Sequence, residues 1–271
     1  MQNQFSRTQL LLGGAAMQTL KASRVAVFGV GGVGGYAVEV LARSGVGAID
    51  IFDDDRICLT NVNRQIIALT NNIGRYKVDV AEERIHAINP HCKVEKRRMF
   101  YLVSNADEVD LSVYDYVVDC IDTVSAKMEL IRRCKRLNVP IICSMGAANK
   151  LDATAFRVVD ITKTMMDPLA KVIRKRLRRE GINHFKCVYS PEIPLEPLDD
   201  PSISCRFHCI CPDKNMRKCT ERRNIPASNA WVPATAGLIL GGEVVKDLVE
   251  AAGTMRQPVE VEEPSDTVGV K

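Results

Sequence analysis

The chain has 271 residues, 46% of them hydrophobic and 26% charged, with a formal net charge of +4 at pH 7. This is the composition of an ordinary globular protein with a sizeable core, and so modest a charge does not by itself demand a polyanionic partner. No apolar run reaches membrane-spanning length, since the best candidate, 234–242, is stopped by Glu243, and residues 1–20 lack a secretory signal pattern. We therefore expect a cytoplasmic protein without a membrane span.

The N-terminal part of the chain predicts a helix, a strand, a glycine turn and a second helix. The first helix covers residues 3–20 and carries a lone Arg7, the strand lies at 25–28, and the second helix runs to Ser44. Between strand and second helix lie Gly29, Gly31, Gly32 and Gly34. Glycines let the backbone approach phosphates, and a helix N-terminus offers N–H groups and a positive dipole end. This order therefore predicts a nucleotide site.

Polar side chains cluster after the predicted strands at 48–52 and 114–120. Asp53 ends the first of these strands, where a ribose-binding carboxylate is expected, and Asp122 follows the second. Between them come Asp55, Asn61, Arg64, Gln65 and Lys77. Lys77 belongs to a predicted helix that ends near residue 88. Asp55 is alternatively a turn or capping residue, and Gln65 a positioner of its neighbours.

The remaining elements continue the alternation of strands and helices. Further strands are predicted at 92–98, 140–144 and 154–159, and helices at 124–137, after Asp167-Pro168 and at 234–251. The pattern predicts an α/β, Rossmann-like fold with a doubly wound, mostly parallel sheet. We assign a nucleotide-binding domain to 1–160 and, packed on the same fold, an extension to 161–252 with a basic helix, a Cys-rich loop and the final apolar helix. The acidic tail at 253–271 is predicted to be disordered.

The charged residues suit phosphate chemistry better than hydride transfer. Arg64 and Lys77, with the amide of Asn61, supply the neutralisation and hydrogen-bond donors that a triphosphate needs. A carboxylate at Asp122 suits Mg²⁺ bound against those phosphates. The set predicts nucleotidyl transfer, in which charge builds on the α-phosphate and on the leaving pyrophosphate.

The same residues resemble the ubiquitin-activating-enzyme superfamily of adenylating enzymes, over about residues 5–160. The matching motifs are Gly29-x-Gly-Gly-x-Gly34, Asp53-x-Asp55, Asn61-x-Asn-Arg-Gln65, Lys77 and Cys120-x-Asp122. Within that superfamily, the segment 160–169 with the basic helix after it resembles the tRNA threonylcarbamoyladenosine dehydratases, as do Asn89-Pro90 and the segment that ends at Ser190. Those enzymes use ATP to cyclise the threonylcarbamoyl carboxylate on an adenosine next to the tRNA anticodon.

The resemblance implies a role for each matching residue. Asp53 would bind the ATP ribose, Asn61, Arg64 and Lys77 the phosphates, and Asp122 the magnesium ion. Arg7 matches an N-terminal arginine that reaches into the partner's site in such homodimers, and is otherwise a surface charge. ATP and Mg²⁺ are the implied cofactors, and tRNA and a second copy of the chain the implied partners; no DNA partner is expected.

A basic helix is predicted after Asp167. Its candidate RNA-binding residues are Lys171, Arg174, Lys175 and Arg178. With the cations at 214–223 they match an electrostatic footprint for RNA, although a solvated helix face has the same composition.

Ten cysteines in a cytoplasmic protein are expected to be reduced thiols, metal ligands or nucleophiles. Four of them are candidate zinc or iron–sulfur ligands with non-standard spacing: Cys205, Cys209, Cys211 and Cys219. Cys187 is either a reactive thiol or a buried spare cysteine. The chain has no Cys-x-x-Cys pair, whereas sulfur-carrier-activating relatives commonly hold zinc in two such pairs.

These observations lead to one function and two alternatives. The first is ATP-dependent cyclisation of threonylcarbamoyladenosine in tRNA through adenylation of its carboxylate. The second is an adenylyltransferase that activates the C-terminal Gly-Gly of a ubiquitin-like sulfur-carrier protein. A cysteine desulfurase or sulfur-acceptor partner is left open. The third, an NAD-binding regulator, holds only if ATP does not bind.

Overall fold

A computed structural model describes residues 2–198, 200–202 and 226–257. Their strands are β1 (Arg24–Phe28), β2 (Ala48–Phe52), β3 (Lys93–Arg97), β4 (Tyr116–Asp119), β5 (Ile141–Ser144), β6 (Arg157–Asp160) and β7 (Lys186–Tyr189). Their helices are α1 (Ser6–Leu12), α2 (Gly14–Ala22), α3 (Gly34–Arg43), α4 (Lys77–Ile88), α5 (Val124–Leu137), α6 (Pro168–Arg178) and α7 (Trp231–Ala251). None of these helices has the length and apolar character needed to cross a membrane.

The strands form one sheet in the order β3-β2-β1-β4-β5-β7-β6. Neighbouring strands are parallel, except that β6 runs antiparallel to β7. After β1 the chain proceeds outward through β2 and β3, then returns to place β4 on the other side of β1. Such a reversal leaves a crevice at the carboxyl ends of the strands, which is where open α/β sheets bind ligands.

Helices cover both faces of the sheet. Val25 and Val27 pack in a core with α3, α4 and α7, whereas Ala26 and Phe28 pack in a core with α5 and α6. Successive side chains of a strand point to opposite faces, so a strand covered on both sides is apolar throughout. The predicted doubly wound α/β class is confirmed.

Three elements differ from their predictions. A single helix at 3–20 is wrong, because Gly13 adopts φ 89° and separates α1 from α2. The strand expected at 154–159 begins only at Arg157, after a 3₁₀ turn at Ala153–Ala155. The sequence did not predict β7, which lies between β5 and β6, so the sheet includes chain from both sides of residue 160. The division into domains at that residue stays a prediction.

The C-terminal end of the described chain contacts the N-terminal helices. Thr254 Oγ1 lies 3.0 Å from Thr19 Oγ1, and Arg256 Nη1 donates to Leu10 O at 3.0 Å. The described structure thus continues past Gly253, where the tail was predicted to begin. Residues 258–271 lie outside it, as do Cys205, Cys209, Cys211, Cys219 and the cations at 214–223.

Candidate active site

A cavity of about 630 Å³ lies at the carboxyl ends of the parallel strands. Its lining includes nearly every predicted nucleotide ligand: Gly29, Gly31, Gly32, Asp53, Asp55, Asn61, Arg64, Gln65, Lys77 and Asp122. We call this side of the cavity the nucleotide half. Gly34 and Arg7 are not among the lining residues.

Two glycines of the turn are required by its geometry. Gly29 has φ 87°, and a Cβ on it would lie 2.9 Å from Cys120 O. A Cβ on Gly34 would lie 1.8 Å from Gly29 O, so only glycine lets the start of α3 pack on the turn. This packing directs the α3 N-terminus toward the cavity, where N–H groups and the helix dipole favour a phosphate.

Asp53 and Lys77 form the charged centre of the nucleotide half. Asp53 Oδ2 accepts from Val30 N at 2.8 Å, and its Oδ1 accepts from Asp55 N at 2.9 Å. Lys77 Nζ donates to Asp55 Oδ2 at 2.6 Å and lies 3.7 Å from Asp53 Oδ1. The side chains of Lys77 and Asp53 are only 6% and 9% exposed. Asp53 therefore fixes the glycine turn to the segment after β2.

Burial acts on both charges of this centre. It raises the pKa of Asp53, against the opposing effects of Lys77 and the two backbone donors. Burial alone would lower the pKa of Lys77, but the carboxylates of Asp53 and Asp55 outweigh it and the pKa is raised. A raised pKa keeps the Lys77 ammonium charged at neutral pH, which is the state that the predicted phosphate contact requires.

Asn61 and Arg64 lie on the loop beside the turn. Asn61 Oδ1 accepts from Cys58 N at 3.0 Å, which shapes the 3₁₀ turn at Leu59–Asn61. Arg64 Nη1 donates to Thr60 O at 2.8 Å. A Cβ on Gly32 would lie 3.4 Å from Arg64 Cγ, so the arginine stem runs along the glycine turn.

Gln65 offers an acceptor to a ligand. Its side chain lines the cavity with only 6% of the residue exposed, and its Oε1 has no hydrogen-bond partner within the described chain. A buried amide oxygen is costly to leave unsatisfied, so a ligand N–H or O–H at this position is favoured. Together with the glycine turn, this acceptor fits a bound nucleotide.

Asp122 is an exposed carboxylate on the loop after β4. A fully buried ion pair supports the start of this loop: Lys127 Nζ donates to Asp119 Oδ2 at 2.7 Å. The same ammonium donates to Ser144 O at 2.9 Å. Asp119 Oδ1 in turn accepts from Ile121 N at 3.1 Å. This pair connects the ends of β4 and β5 directly beneath the cavity.

The carboxylates at these strand ends are suitable ligands for Mg²⁺, which prefers oxygen. Carboxylate oxygens of Asp53, Asp54 and Asp55 approach within 4.8 Å of one another. The first and third already contact Lys77. Asp122 lines the same cavity from the loop after β4, on the other side of β1. That Asp122 holds the metal stays a prediction.

The opposite side of the cavity is built from residues that were not predicted as site residues. We call it the acceptor half; its lining comprises residues 146–150, 167–169, Pro194, Pro226 and Ser228. Lys150, 2% exposed, donates through Nζ to Gly146 O at 2.9 Å, to Ser190 O at 2.9 Å and to Asp167 Oδ2 at 3.3 Å. One ammonium thus joins the ends of β5, β7 and the start of α6.

Asp167 completes this arrangement. Its Oδ1 accepts from Ala170 N at 2.8 Å, which caps α6, and its Oδ2 accepts from Gly146 N at 3.1 Å. Met166 just before it has φ 59°, a strained value for a residue with a side chain. Lys150 and Asp167 are far apart in the chain and follow no local spacing rule. The sequence therefore carries no signal that pairs them.

The predicted RNA-binding residues lie on α6, whose first residues, Pro168 and Leu169, line the cavity. Lys171, Lys175 and Arg178 are exposed, whereas Arg174 is half-buried and donates to Thr164 O at 2.6 Å. Arg7 is exposed on α1, and its expected role in a partner's cavity is not visible in a single chain.

Two of the described cysteines, Cys187 and Cys120, have raised thiol pKa values. Cys187 is fully buried, and burial raises its pKa to about 12. Cys120 lines the cavity, and burial raises its pKa to about 12 as well. At neutral pH both are therefore thiols rather than nucleophilic thiolates.

Fold and site together define a nucleotide-binding α/β protein with a second compartment beside the nucleotide half. Comparison with known proteins identifies its family. The ThiF family model matches residues 5–261. The chain belongs to the ThiF family, so the resemblance seen in its motifs is confirmed.

Several relatives cover nearly the whole chain. The tRNA threonylcarbamoyladenosine dehydratase of Bacillus subtilis (strain 168) is 45% identical over 251 residues, which are 92% of this chain and 96% of that protein. That of Escherichia coli (strain K12) is 35% identical and covers 92% and 94%. The crystal structure of the E. coli enzyme in complex with AMP has a TM-score of 0.80 at 34% identity, covering 92% and 95%. Its complex with ATP has a TM-score of 0.77.

Proposed function

We propose that this chain catalyses ATP-dependent cyclisation of threonylcarbamoyladenosine in tRNA, next to the anticodon. The observation that carries the proposal is a single cavity lined by Asp53, Lys77 and Asp122 on one side and by Asp167-Pro168-Leu169 on the other. The last three belong to segment 160–169, on which the resemblance to the dehydratases rests. Relatives with that name, 45% and 35% identical over 92% of the chain, support it.

ATP binds in the nucleotide half. Asp53 accepts from the ribose hydroxyls, while the α3 N-terminus, Asn61, Arg64 and Lys77 hold the phosphates. Asp122 would hold Mg²⁺, which when bound neutralises phosphate charge. The acceptor half receives the threonylcarbamoyl group, so its carboxylate meets the α-phosphate where the two halves join.

The reaction then has two steps. A carboxylate oxygen attacks the α-phosphorus, the bond between the α-phosphorus and the bridging oxygen breaks, and pyrophosphate leaves. An internal nucleophile of the threonylcarbamoyl group then attacks the acyl carbon, gives up its proton to solvent and closes a ring. AMP departs with the former carboxylate oxygen, so the nucleoside loses the elements of one water. The protein mainly positions the reactants and neutralises charge.

The nucleoside itself provides the test. Threonylcarbamoylated tRNA incubated with the protein, ATP and Mg²⁺ is expected to yield an adenosine lighter by one water in mass spectrometry. Asp122→Ala should abolish the change, and Asp107→Ala, an exposed carboxylate outside the cavity lining, should not. An unchanged nucleoside, with AMP transferred instead to a Gly-Gly carrier protein, would move the chain to the sulfur-carrier activators.

We further infer that the chain acts in the cytoplasm as a homodimer, in which Arg7 on α1 approaches the partner's cavity. Mixing Arg7→Ala chains with Asp122→Ala chains should restore part of the activity, because one cavity of each mixed dimer then has both residues. Confirmed mixed dimers that stay inactive would contradict this role of Arg7.

A further inference from the structure

The single tryptophan of the chain stands at the rim of the acceptor half. Trp231 is the first residue of α7, and Ser228 and Pro233 on either side of it in the chain line the cavity. Its indole Nε1 donates to Leu151 O at 2.7 Å, yet the residue is 51% exposed. One edge of the ring is therefore anchored while much of its surface faces solvent.

The anchor of Trp231 is rigid. Asn229 Nδ2 donates to Lys150 O at 2.8 Å, and Asn229 Oδ1 accepts from Val232 N at 2.9 Å. Asn149 and Ala227 exchange two further hydrogen bonds, at 2.7 and 2.8 Å. The ring is thus attached to the same strand-end loop that forms the acceptor half, and little side-chain entropy remains to be lost on contact.

Other exposed apolar residues surround the ring's anchor. Leu151, which accepts the indole hydrogen bond, is 57% exposed, and Leu195, 55% exposed, donates its N–H to Asn149 O at 2.7 Å. The start of α6 lines the same half of the cavity, and this helix carries the exposed cations Lys171 and Lys175. An anchored aromatic ring and exposed cations beside one cavity are the combination with which proteins hold single-stranded RNA.

We infer that Trp231 is a stacking platform for a nucleobase of the substrate RNA, adjacent to the nucleotide that enters the acceptor half. The inference rests on the proposed function, because that function requires one nucleoside of a polynucleotide to reach the cavity while its neighbours stay at the rim. Every base has a π-face, so the platform fits RNA without demanding a particular sequence.

Because the chain has one tryptophan, its fluorescence reports on this ring alone. Threonylcarbamoylated tRNA is titrated into the protein without ATP, with binding followed in parallel by mobility shift. Tryptophan emission is expected to be quenched along the same binding curve. Trp231→Ala should weaken RNA binding about tenfold, Trp231→Phe much less, and neither should change ATP affinity. Leu238→Ala, an exposed apolar residue on the same helix outside the cavity lining, is the matched control and should leave RNA binding unchanged.

The outcomes separate this inference from the function on which it rests. RNA that binds without changing the emission, with Trp231→Ala binding as tightly as the native chain, overturns the platform and leaves the function intact. Emission that is already shielded from acrylamide without RNA, and that changes on dilution, shows a second copy covering the ring and also overturns it. A native chain that binds no tRNA at all overturns both.

Discussion

The two halves of the cavity use the same residue type for opposite purposes. Lys77 and Lys150 are both almost fully buried, at 5% and 2% exposure. Lys77 pairs with two carboxylates beside the glycine turn, where its charge faces the nucleotide half. Lys150 directs its three donors at two backbone carbonyls and Asp167, so no donor remains for a ligand. The partners of each buried lysine therefore predict its role: a ligand for phosphate at Lys77 and a structural link at Lys150.

The halves also differ in how the chain supplies them. Asp53, Asn61, Arg64 and Lys77 come from one continuous stretch after β2, folded over the glycine turn. The acceptor half combines the ends of β5 and β7 with the start of α6 and the residues before α7. The first half therefore comes mostly from the consecutive segments after β1 and β2, with Asp122 added from the loop after β4, whereas the second exists only when four distant segments meet.

The largest effect is expected from Lys77→Met in the nucleotide half. The change leaves Asp53 and Asp55 without their cation and removes a phosphate ligand. The rate of adenylation should fall about 10²- to 10³-fold, and the affinity for ATP should drop. The free energy of unfolding should fall by about 3 kcal/mol. Calorimetric ATP titration and denaturant unfolding measure these quantities. Lys186→Met is the matched control, because Lys186 pairs with Asp247 at 2.6 Å away from the cavity lining. If Lys77→Met binds ATP with native affinity, Lys77 is not a ligand of the nucleotide.

Lys150→Met tests whether the acceptor half is a separate unit. The change leaves Asp167 buried without a cation, so stability should again fall by about 3 kcal/mol. The KM for tRNA should rise about tenfold because the wall loses its position, while ATP affinity is unchanged. Steady-state kinetics and ATP titration provide the readout.

A double variant, Lys150→Met with Asp167→Asn, sharpens this test. Removing the unpaired carboxylate should restore part of the stability. The KM for tRNA should stay raised, because the ends of β5 and β7 and the start of α6 are still not joined. If Lys150→Met weakens ATP binding as much as it raises the KM for tRNA, the two halves act as one unit. That result would contradict a separate acceptor half.

The smallest effect is expected from Cys187→Ala, on the strand behind the acceptor half. The pKa of about 12 keeps this thiol protonated at neutral and mildly alkaline pH, so turnover should be unchanged and its pH profile unaltered. Stability should fall by about 1 kcal/mol through lost packing. In the folded native chain, mass spectrometry after alkylation should find Cys187 unmodified. Loss of turnover in a variant with a native melting curve would show a thiol role in the acceptor half.

The sequence by itself determined the nucleotide half and the fold class. Gly29 and Asp53 follow strands, Lys77 begins a helix, and the alternation of strands and helices specifies a parallel sheet whose carboxyl ends share one edge. Each of these signals is local, because turn conformation, helix starts and strand burial depend on neighbouring residues. The prediction of one continuous helix at 3–20 was wrong because of one such local feature, the positive φ of Gly13.

Only the tertiary structure decided the acceptor half. Insertion of β7 between β5 and β6 brings Ser190 beside Gly146, and this contact creates the site for the Lys150 ammonium. The exposure of Trp231 likewise depends on where α7 begins relative to Leu151. Contacts between distant segments leave no periodicity or spacing in the chain, since the partner of a buried charge is chosen by strand order and packing rather than by sequence separation.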